Sequence, residues 1–338
     1  MIVKSSVTYS FIIPFMNEEA VLPLLMERLT TLMSEVDGPC EVLLVDDGSR
    51  DRGAAIVAEY SARDPRIKMI RLSRNFGHQI AVTAGLDAVQ GKAVIIMDAD
   101  LQDPPEVVHE LIAKWHEGYE IVHAQRKARD GETWFKKLSA NLFYRLLSRL
   151  SSVDIPRNVG DFRLVDARVV DAIRHMPERD RFLRGMFAWV GFRQTFVQFD
   201  RLERAAGETK YPLKKMMRLA MDGVIGFSDA PLRLALWLGA LVSLGAMGYG
   251  AYIFMIALFT DQLVEGWAST IVVLSFLSGM NLLISGVIGL YVGRIHTESK
   301  QRPLYFVSES IGLSDVARLP KTKPATLPKM QAKHDITG

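Results

Sequence analysis

The stretch Ala93-Val94-Ile95-Ile96-Met97-Asp98-Ala99-Asp100-Leu101-Gln102-Asp103 runs an unbroken apolar segment straight into carboxylates and an amide. The apolar half reads as a strand. Outward from it the same signal recurs. Short β-rich runs stand at Val7–Pro14, Glu41–Val45, Lys68–Leu72, Ala93–Asp98 and Glu120–Gln125. Amphipathic helical stretches separate them, near Glu19–Ser34, Asp51–Ala62, His78–Val89 and Pro105–Glu117. Strands alternating with helices of this length predict a Rossmann-like α/β domain, a mostly parallel sheet with helices on both faces. Ligands of such sheets collect at the carboxyl ends of the strands, so the residues just after each run are the first candidates for chemistry.

At the end of the fourth run, Asp98, Asp100 and Gln102 alternate, and in an extended segment they would point to one side. Oxygen donors alone suit Mg²⁺ or Mn²⁺, which would also hold a diphosphate. The plainer alternative is a solvated acidic turn; placement directly after a fully apolar strand favours the metal. Val45-Asp46-Asp47-Gly48-Ser49 closes the second run, where carboxylates can accept from a ribose or base and the glycine permits a sharp turn. A helix N-cap at Ser49 or Asp51 explains the same residues, and both readings can hold together. Pro14-Phe15-Met16-Asn17-Glu18-Glu19 ends the first run, with Glu18 placed to reach the same ligand.

Beyond Gln125 the pattern loosens. A basic helix at Thr133–Arg149 leads to a loop at Ser151–Gly160, then Asp161-Phe162-Arg163-Leu164. A strand-like run, Arg193–Phe199, precedes a polar loop ending in Gly207-Glu208-Thr209-Lys210-Tyr211. Lys214–Phe227 has an apolar side and a basic start, the pattern of a helix lying on a membrane surface. Two long apolar runs follow, Leu232–Phe259 and Trp267–Val292, each longer than the roughly 20 residues needed to cross a bilayer. Lys210, Lys214, Lys215, Arg218 and Arg233 flank the first, and Arg294, Lys300 and Arg302 follow the second, whereas the connection Thr260–Gly266 carries only Asp261 and Glu265. Basic flanks stay cytoplasmic, so both termini and the domain that precedes the spans are expected on that side of the membrane. Gly239, Gly245, Gly248, Gly250, Gly279, Gly286, Gly289 and Gly293 would allow close helix packing and oligomers.

The domains expected are therefore 1–210, an α/β catalytic domain; 211–230, interfacial; 231–293, a hairpin of spans 232–259 and 267–292; and 294–338, a tail disordered after about residue 314. The 338 residues are 49% hydrophobic and 23% charged, with a formal net charge of only +3, so nothing points to nucleic acid. A single cysteine, Cys40, excludes an intrachain disulfide. The first ten residues lack the apolar core and cleavage site of a signal peptide.

Taken together, Pro14 to Glu18, Asp46-Asp47-Gly48-Ser49, Arg74-Asn75-Phe76-Gly77-His78-Gln79 and Asp98 to Gln102 resemble the inverting nucleotide-sugar glycosyltransferases of family 2, which have the GT-A fold. Gln125-Arg126, Trp134-Phe135-Lys136-Lys137, Gly160 to Leu164, and Arg204 through Gly207 to Tyr211 narrow the resemblance to the polyprenyl-phosphate glycosyltransferases, such as dolichol-phosphate mannose synthase and the bactoprenol glucosyltransferases. It runs from about residue 7 to residue 308, both apolar runs included. The resemblance implies that Asp98, Asp100 and Gln102 bind Mg²⁺ or Mn²⁺. Pro14, Glu18, Asp46, Asp47 and Arg74 would hold the nucleotide sugar. Arg126, Lys137, Arg163, Arg204 and Lys210 would surround the donor diphosphate or acceptor phosphate, and Asp161 matches the aspartate proposed as catalytic base. His78 stands in a motif position that a structural histidine would fill equally well.

The implied partners are a UDP-sugar (UDP-glucose foremost), a polyprenyl phosphate such as undecaprenyl phosphate, membrane lipid, and further copies of the chain in a tetramer. A processive polysaccharide synthase would need more spans and a Gln-x-x-Arg-Trp motif, absent here. A non-enzymatic membrane scaffold would have lost a metal ligand, and none is missing. A dinucleotide oxidoreductase needs Gly-x-Gly-x-x-Gly after the first strand, also absent.

Overall fold

The computed structural model describes residues 7–127, 159–200, 230–259 and 266–313. They fall into two compact units, one of residues up to Glu106 together with those from Pro303 on, the other Val107–Arg302.

In the first unit, strands β1 (Tyr9–Phe15), β2 (Cys40–Asp46), β3 (Ile67–Leu72) and β4 (Ala93–Ile96) lie parallel in the order β4-β1-β2-β3. Helices α1 (Leu22–Glu35), α2 (Gly53–Arg63) and α3 (His78–Ala88) make the crossovers. Every residue of β1, β2 and β4 is buried, as expected of strands covered on both faces. Helix α1 supplies Leu22, Leu25, Met26, Leu29, Leu32 and Met33 from one face, at the three- and four-residue spacing of an amphipathic helix. Each such side chain contributes about 2 kcal/mol by leaving water. Because the strands are parallel, their carboxyl ends share one edge, and the loops after them carry the candidate residues. The pairing of β1 with β4 ends at Ile12↔Ile96, so Pro14, which has no N–H to donate, sits just past it.

An eighth strand, β8 (Val307–Ile311), joins the outer edge antiparallel to β3. Tyr305 is buried and donates its hydroxyl to Asp87 Oδ2 at 2.8 Å, and Ser73 N donates to Phe306 O at 2.9 Å. No element was expected here from the sequence. The run Leu304-Tyr305-Phe306-Val307 is apolar, with Tyr305 and Val307 buried, but four residues are too short to define a strand by themselves.

The second unit contains α4 (Val108–His116), β5 (Ile121–Arg126), β6 (Val159–Asp166), α5 (Ala167–His175), α6 (Leu183–Trp189) and β7 (Gln194–Phe199). β6 runs antiparallel and β7 parallel to β5. Asp166 ends β6 and caps α5, accepting from Arg168 N at 3.0 Å and from Trp115 Nε1 at 2.9 Å.

His123 of β5 is buried opposite Arg163 of β6, with Nε2 against Gln194 Oε1 at 2.9 Å. Burial first, then the Arg163 charge, pushes its pKa down to about 3. Between that value and the 6.5 of an unfolded histidine, the unfolded chain binds the extra proton. Stability is therefore full above about pH 6.5 and falls by a few kcal/mol as pH drops toward 3. Thermal melts of the detergent-solubilised protein between pH 4 and 7 should show this loss, and His123→Gln should flatten it.

Two helices of the second unit, α7 (Ala230–Phe259) and α8 (Trp267–Ser299), are long and apolar enough to cross a membrane. Their apolar side chains are largely exposed in the isolated chain, Trp237 and Leu282 by more than 70%. Of the glycines expected to bring the two helices together, only at Gly239 would an added Cβ meet the other helix, at 3.5 Å from Ile284 Cδ1, while the other seven have open space where a Cβ would stand. Helix α8 also continues past Val292, where the apolar run stops, to Ser299; the added turns carry Arg294 and Glu298, which have partners in the 176–182 connection. The basic helix at 133–149, the interfacial helix at 214–227, the connection 260–265 and the tail from residue 314 lie outside the described residues.

Candidate functional site

In the first unit the loops after β1, β2 and β3 are stitched together. Asn17 N donates to Ser49 Oγ at 3.0 Å, Arg50 N donates to Asn17 Oδ1 at 2.9 Å, and Arg52 N donates to Glu19 Oε2 at 2.9 Å. Asn17 adopts φ 55°, a backbone angle that asparagine tolerates better than most residues. Asp46 is fully buried; Oδ1 accepts from Ser49 N at 2.7 Å and Oδ2 pairs with Arg71 Nε at 3.1 Å. Asp47 accepts from Phe76 N at 2.7 Å and Gly77 N at 2.9 Å, which fixes the loop after β3. Burial raises the Asp47 carboxyl above its usual range against these two bonds. Gly48 has φ +76°, and a Cβ there would lie 2.5 Å from the carbonyl carbon of Arg74. Only glycine lets these two loops touch.

Asp47 thus spends both oxygens on the loop after β3, whereas Asp46 spends Oδ1 on Ser49 N and keeps Oδ2 buried beside Arg71 without a hydrogen bond. Arg74 is exposed; its guanidinium stacks over Phe76 at 3.9 Å and donates to Asn75 O at 2.9 Å. Glu18 is half-buried and its carbonyl starts α1 by accepting from Val21 and Leu22. A cavity of about 610 Å³ opens here, lined by Asn17, Ser49, Arg71 and Arg74 together with Ser308 and Glu309 of β8. Neither Arg71 nor β8 was singled out from the sequence. Arg71 looks there like any polar residue of an alternating strand.

After β4 the chain does not stay extended. It turns at Ala99 and Asp100, and Leu101 is buried with φ 55°. The expected one-sided alternation of Asp98, Asp100 and Gln102 is thereby broken, because the buried Leu101 side chain forces a tight turn. Gln102 N donates to Asp100 Oδ1 at 3.1 Å and Gln102 is itself buried. Asp98 is partly exposed, with Oδ1 3.6 Å from His78 Nε2. No group of three His, Cys, Asp or Glu side chains gathers among the described residues. The donor chemistry nevertheless fits a hard divalent cation: two carboxylates and an amide oxygen within five residues, at the carboxyl edge of a parallel sheet.

In the second unit Asp161 is gripped by arginine. Arg184 of α6 donates from Nε to Oδ1 at 2.9 Å and from Nη2 to Oδ2 at 3.3 Å, the paired geometry that suits guanidinium and carboxylate. Arg163 Nη2 lies 3.7 Å from Oδ1 and donates to Gly160 O at 2.8 Å. Arg163 is buried against the ring of Phe187 at 4.7 Å; burial lowers its pKa to about 10, with Asp161 opposing the shift, so it stays charged at neutral pH. Arg126 ends β5 beside the start of β6, for a Cβ on Gly160 would stand 3.0 Å from its Nη2. A carboxylate held by two guanidinium groups is a poor proton acceptor and a good orienting group. Arg184 was missed, since Arg181-Phe182-Leu183-Arg184-Gly185 carries no motif and most surface arginines are merely solvated. Lys137, Arg204 and Lys210 lie outside the described residues.

Residues 10–174 match the family described as Glycosyl transferase family 2. The uncharacterized glycosyltransferase YkcC of Bacillus subtilis (strain 168) is 51% identical over 91% of this chain and 96% of its own length. The prophage bactoprenol glucosyl transferase homolog of Escherichia coli (strain K12) is 37% identical over 88% of this chain and 97% of its own. Among solved structures, glucosyl-3-phosphoglycerate synthase from Mycobacterium tuberculosis, in complex with Mn²⁺, UDP and glucosyl-3-phosphoglycerate, overlays 66% of this chain and 79% of that one, at 19% identity and TM-score 0.45. Matched by such relatives over nearly their whole length, the chain belongs to glycosyltransferase family 2, on the branch of the bactoprenol glucosyl transferases, and is a glycosyltransferase with a GT-A fold.

Proposed function

We propose that the protein transfers a sugar, foremost glucose from UDP-glucose, to a polyprenyl phosphate at the cytoplasmic face of the membrane, with inversion at the anomeric carbon. One observation carries the reading: a family 2 catalytic chain continues into two helices of span length, and relatives named for bactoprenol match over both. Basic residues flank the hairpin on both sides and support cytoplasmic termini.

In the reaction an oxygen of the lipid phosphate forms a bond to the anomeric carbon as the bond to the nucleoside diphosphate breaks, the leaving oxygen keeping the electron pair. A phosphomonoester loses its second proton near pH 6, so at neutral pH the nucleophile is already ionised and no strong base is needed. Asp161 then serves by orienting Arg184 and Arg163, whose charges draw the two anions together. Asp98 and Asp100, with Gln102, would hold Mg²⁺ or Mn²⁺, which when bound supplies neutralisation of the charge growing on the leaving diphosphate. The loops fixed by Asp46, Asp47 and Gly48 shape the nucleoside pocket, with Arg74 on its border; Pro14 and Glu18 stand outside the cavity's lining and would act from the end of β1 and the loop after it. Arg126, Lys137, Arg204 and Lys210 add cations for the diphosphate and acceptor.

The test is to incubate the full-length protein with undecaprenyl phosphate, Mn²⁺ and a panel of nucleotide sugars, and to weigh the lipid product. A hexosyl-phospholipid from UDP-glucose is expected. Products from galacturonate, N-acetylhexosamine or modified arabinose donors would change the sugar and keep the reaction. No lipid product from any donor would end the reading.

A further inference from the structure

The last turns of α8 lie beyond the apolar stretch and touch the catalytic part of the second unit. Glu298 Oε1 accepts from Arg179 N at 2.8 Å and from Asp180 N at 3.4 Å. Arg294 stands four residues earlier, hence on the same helix face, and pairs with Asp180 Oδ2 at 2.9 Å. Both contacts fall on the connection 176–182, between α5 and α6. That connection is anchored at its far side too: Arg181 donates from Nη1 to Ile173 O at 3.1 Å and from Nη2 to Met176 O at 2.8 Å, at the end of α5.

The connection leads directly into the arginine that matters for transfer. Helix α6 begins at Leu183, and its first turns carry Arg184, which grips Asp161, and Phe187, which stacks on Arg163. A segment without regular structure of its own is fixed by what bonds its backbone, and here that is a carboxylate at the end of a membrane-length helix. The start of α6, and with it the Arg184 guanidinium, is therefore set from α8.

We propose that Glu298 and Arg294 are positioning residues for sugar transfer, holding the 176–182 connection so that Arg184 and Asp161 meet the acceptor phosphate in register. The inference rests on the lipid-phosphate reading above. It makes the second apolar helix part of the active-site scaffold and not only an anchor.

The test uses the full-length protein in detergent with undecaprenyl phosphate. Glu298→Ala should lower kcat for lipid transfer about tenfold, the cost of a modest misplacement, while KM for the nucleotide sugar stays within about twofold. Glu298→Gln keeps an oxygen for the two N–H groups and should recover most of the loss. Asp180→Arg combined with Arg294→Asp should outperform either change alone. Hydrogen exchange across residues 176–190 should quicken in Glu298→Ala and not in Glu298→Gln. Wild-type kcat in Glu298→Ala, a parallel rise in donor KM, or unchanged exchange would overturn the proposal. If the unaltered protein makes no lipid product, the function reading fails by itself, and the exchange result alone decides whether α8 holds the connection.

Discussion

Asp98→Asn is expected to lower kcat/KM for sugar transfer by about 100- to 1,000-fold, the scale of losing a preorganised group that stabilises developing charge. The fold should survive, because Asp98 lies just before the turn with its side chain 30% exposed. Asp100→Asn should behave similarly with a smaller loss, since its Oδ1 also accepts from Gln102 N, a bond that asparagine can keep. Steady-state kinetics against Mn²⁺ concentration, alongside a thermal melt, separates the two effects: activity falls, the requirement for Mn²⁺ rises, and the melting temperature holds.

Arg184→Ala is expected to cost about 100-fold in kcat, because the guanidinium that Asp161 orients is lost and with it a cation for the acceptor phosphate. Asp161→Asn should cost a similar amount and more stability, for it leaves the buried Arg163 charge without its counter-ion. Breaking such a pair typically costs about 3–5 kcal/mol. The double variant should be little worse than either single one, as expected of groups that act as a unit. The pH profile distinguishes orientation from proton abstraction. If the lipid phosphate is the titrating group, the acid limb of kcat/KM stays near pH 6 in Asp161→Asn, where its second ionisation lies. A limb that disappears with Asp161 would instead make that carboxylate the base.

Much of this was legible in the sequence. The first five strands and the helices between them fall within a few residues of where apolar runs and amphipathic spacing put them. Such patterns record burial, and burial is what the first unit's sheet is made of. Three features were not legible, each for a physical reason. The turn after β4 depends on Leu101 burying its side chain, a tertiary choice that local alternation cannot reveal. β8 is a short edge strand whose partner is more than 200 residues away, so only packing defines it. The Arg184–Asp161 pair joins a β-strand to a helix with no motif of its own, and a guanidinium that grips a carboxylate looks in sequence like any solvated arginine. The acidic run from Asp98 was drawn too straight, for the chain turns at Ala99 and Asp100. The bonds of Asp46 to Ser49 N and of Asp47 to Phe76 N and Gly77 N join residues distant in sequence or fixed only by loop geometry, so no local pattern shows them.

The central claim is that carboxylates after β4 bring a sugar nucleotide and a divalent cation to this chain. Isothermal titration of UDP-glucose into the full-length protein, with Mn²⁺ and then with EDTA, tests it most directly. Saturable binding is expected with Mn²⁺, weakening at least about tenfold without it or in Asp98→Asn. Equal affinity in the presence and absence of the cation, or no binding of any sugar nucleotide, would contradict it.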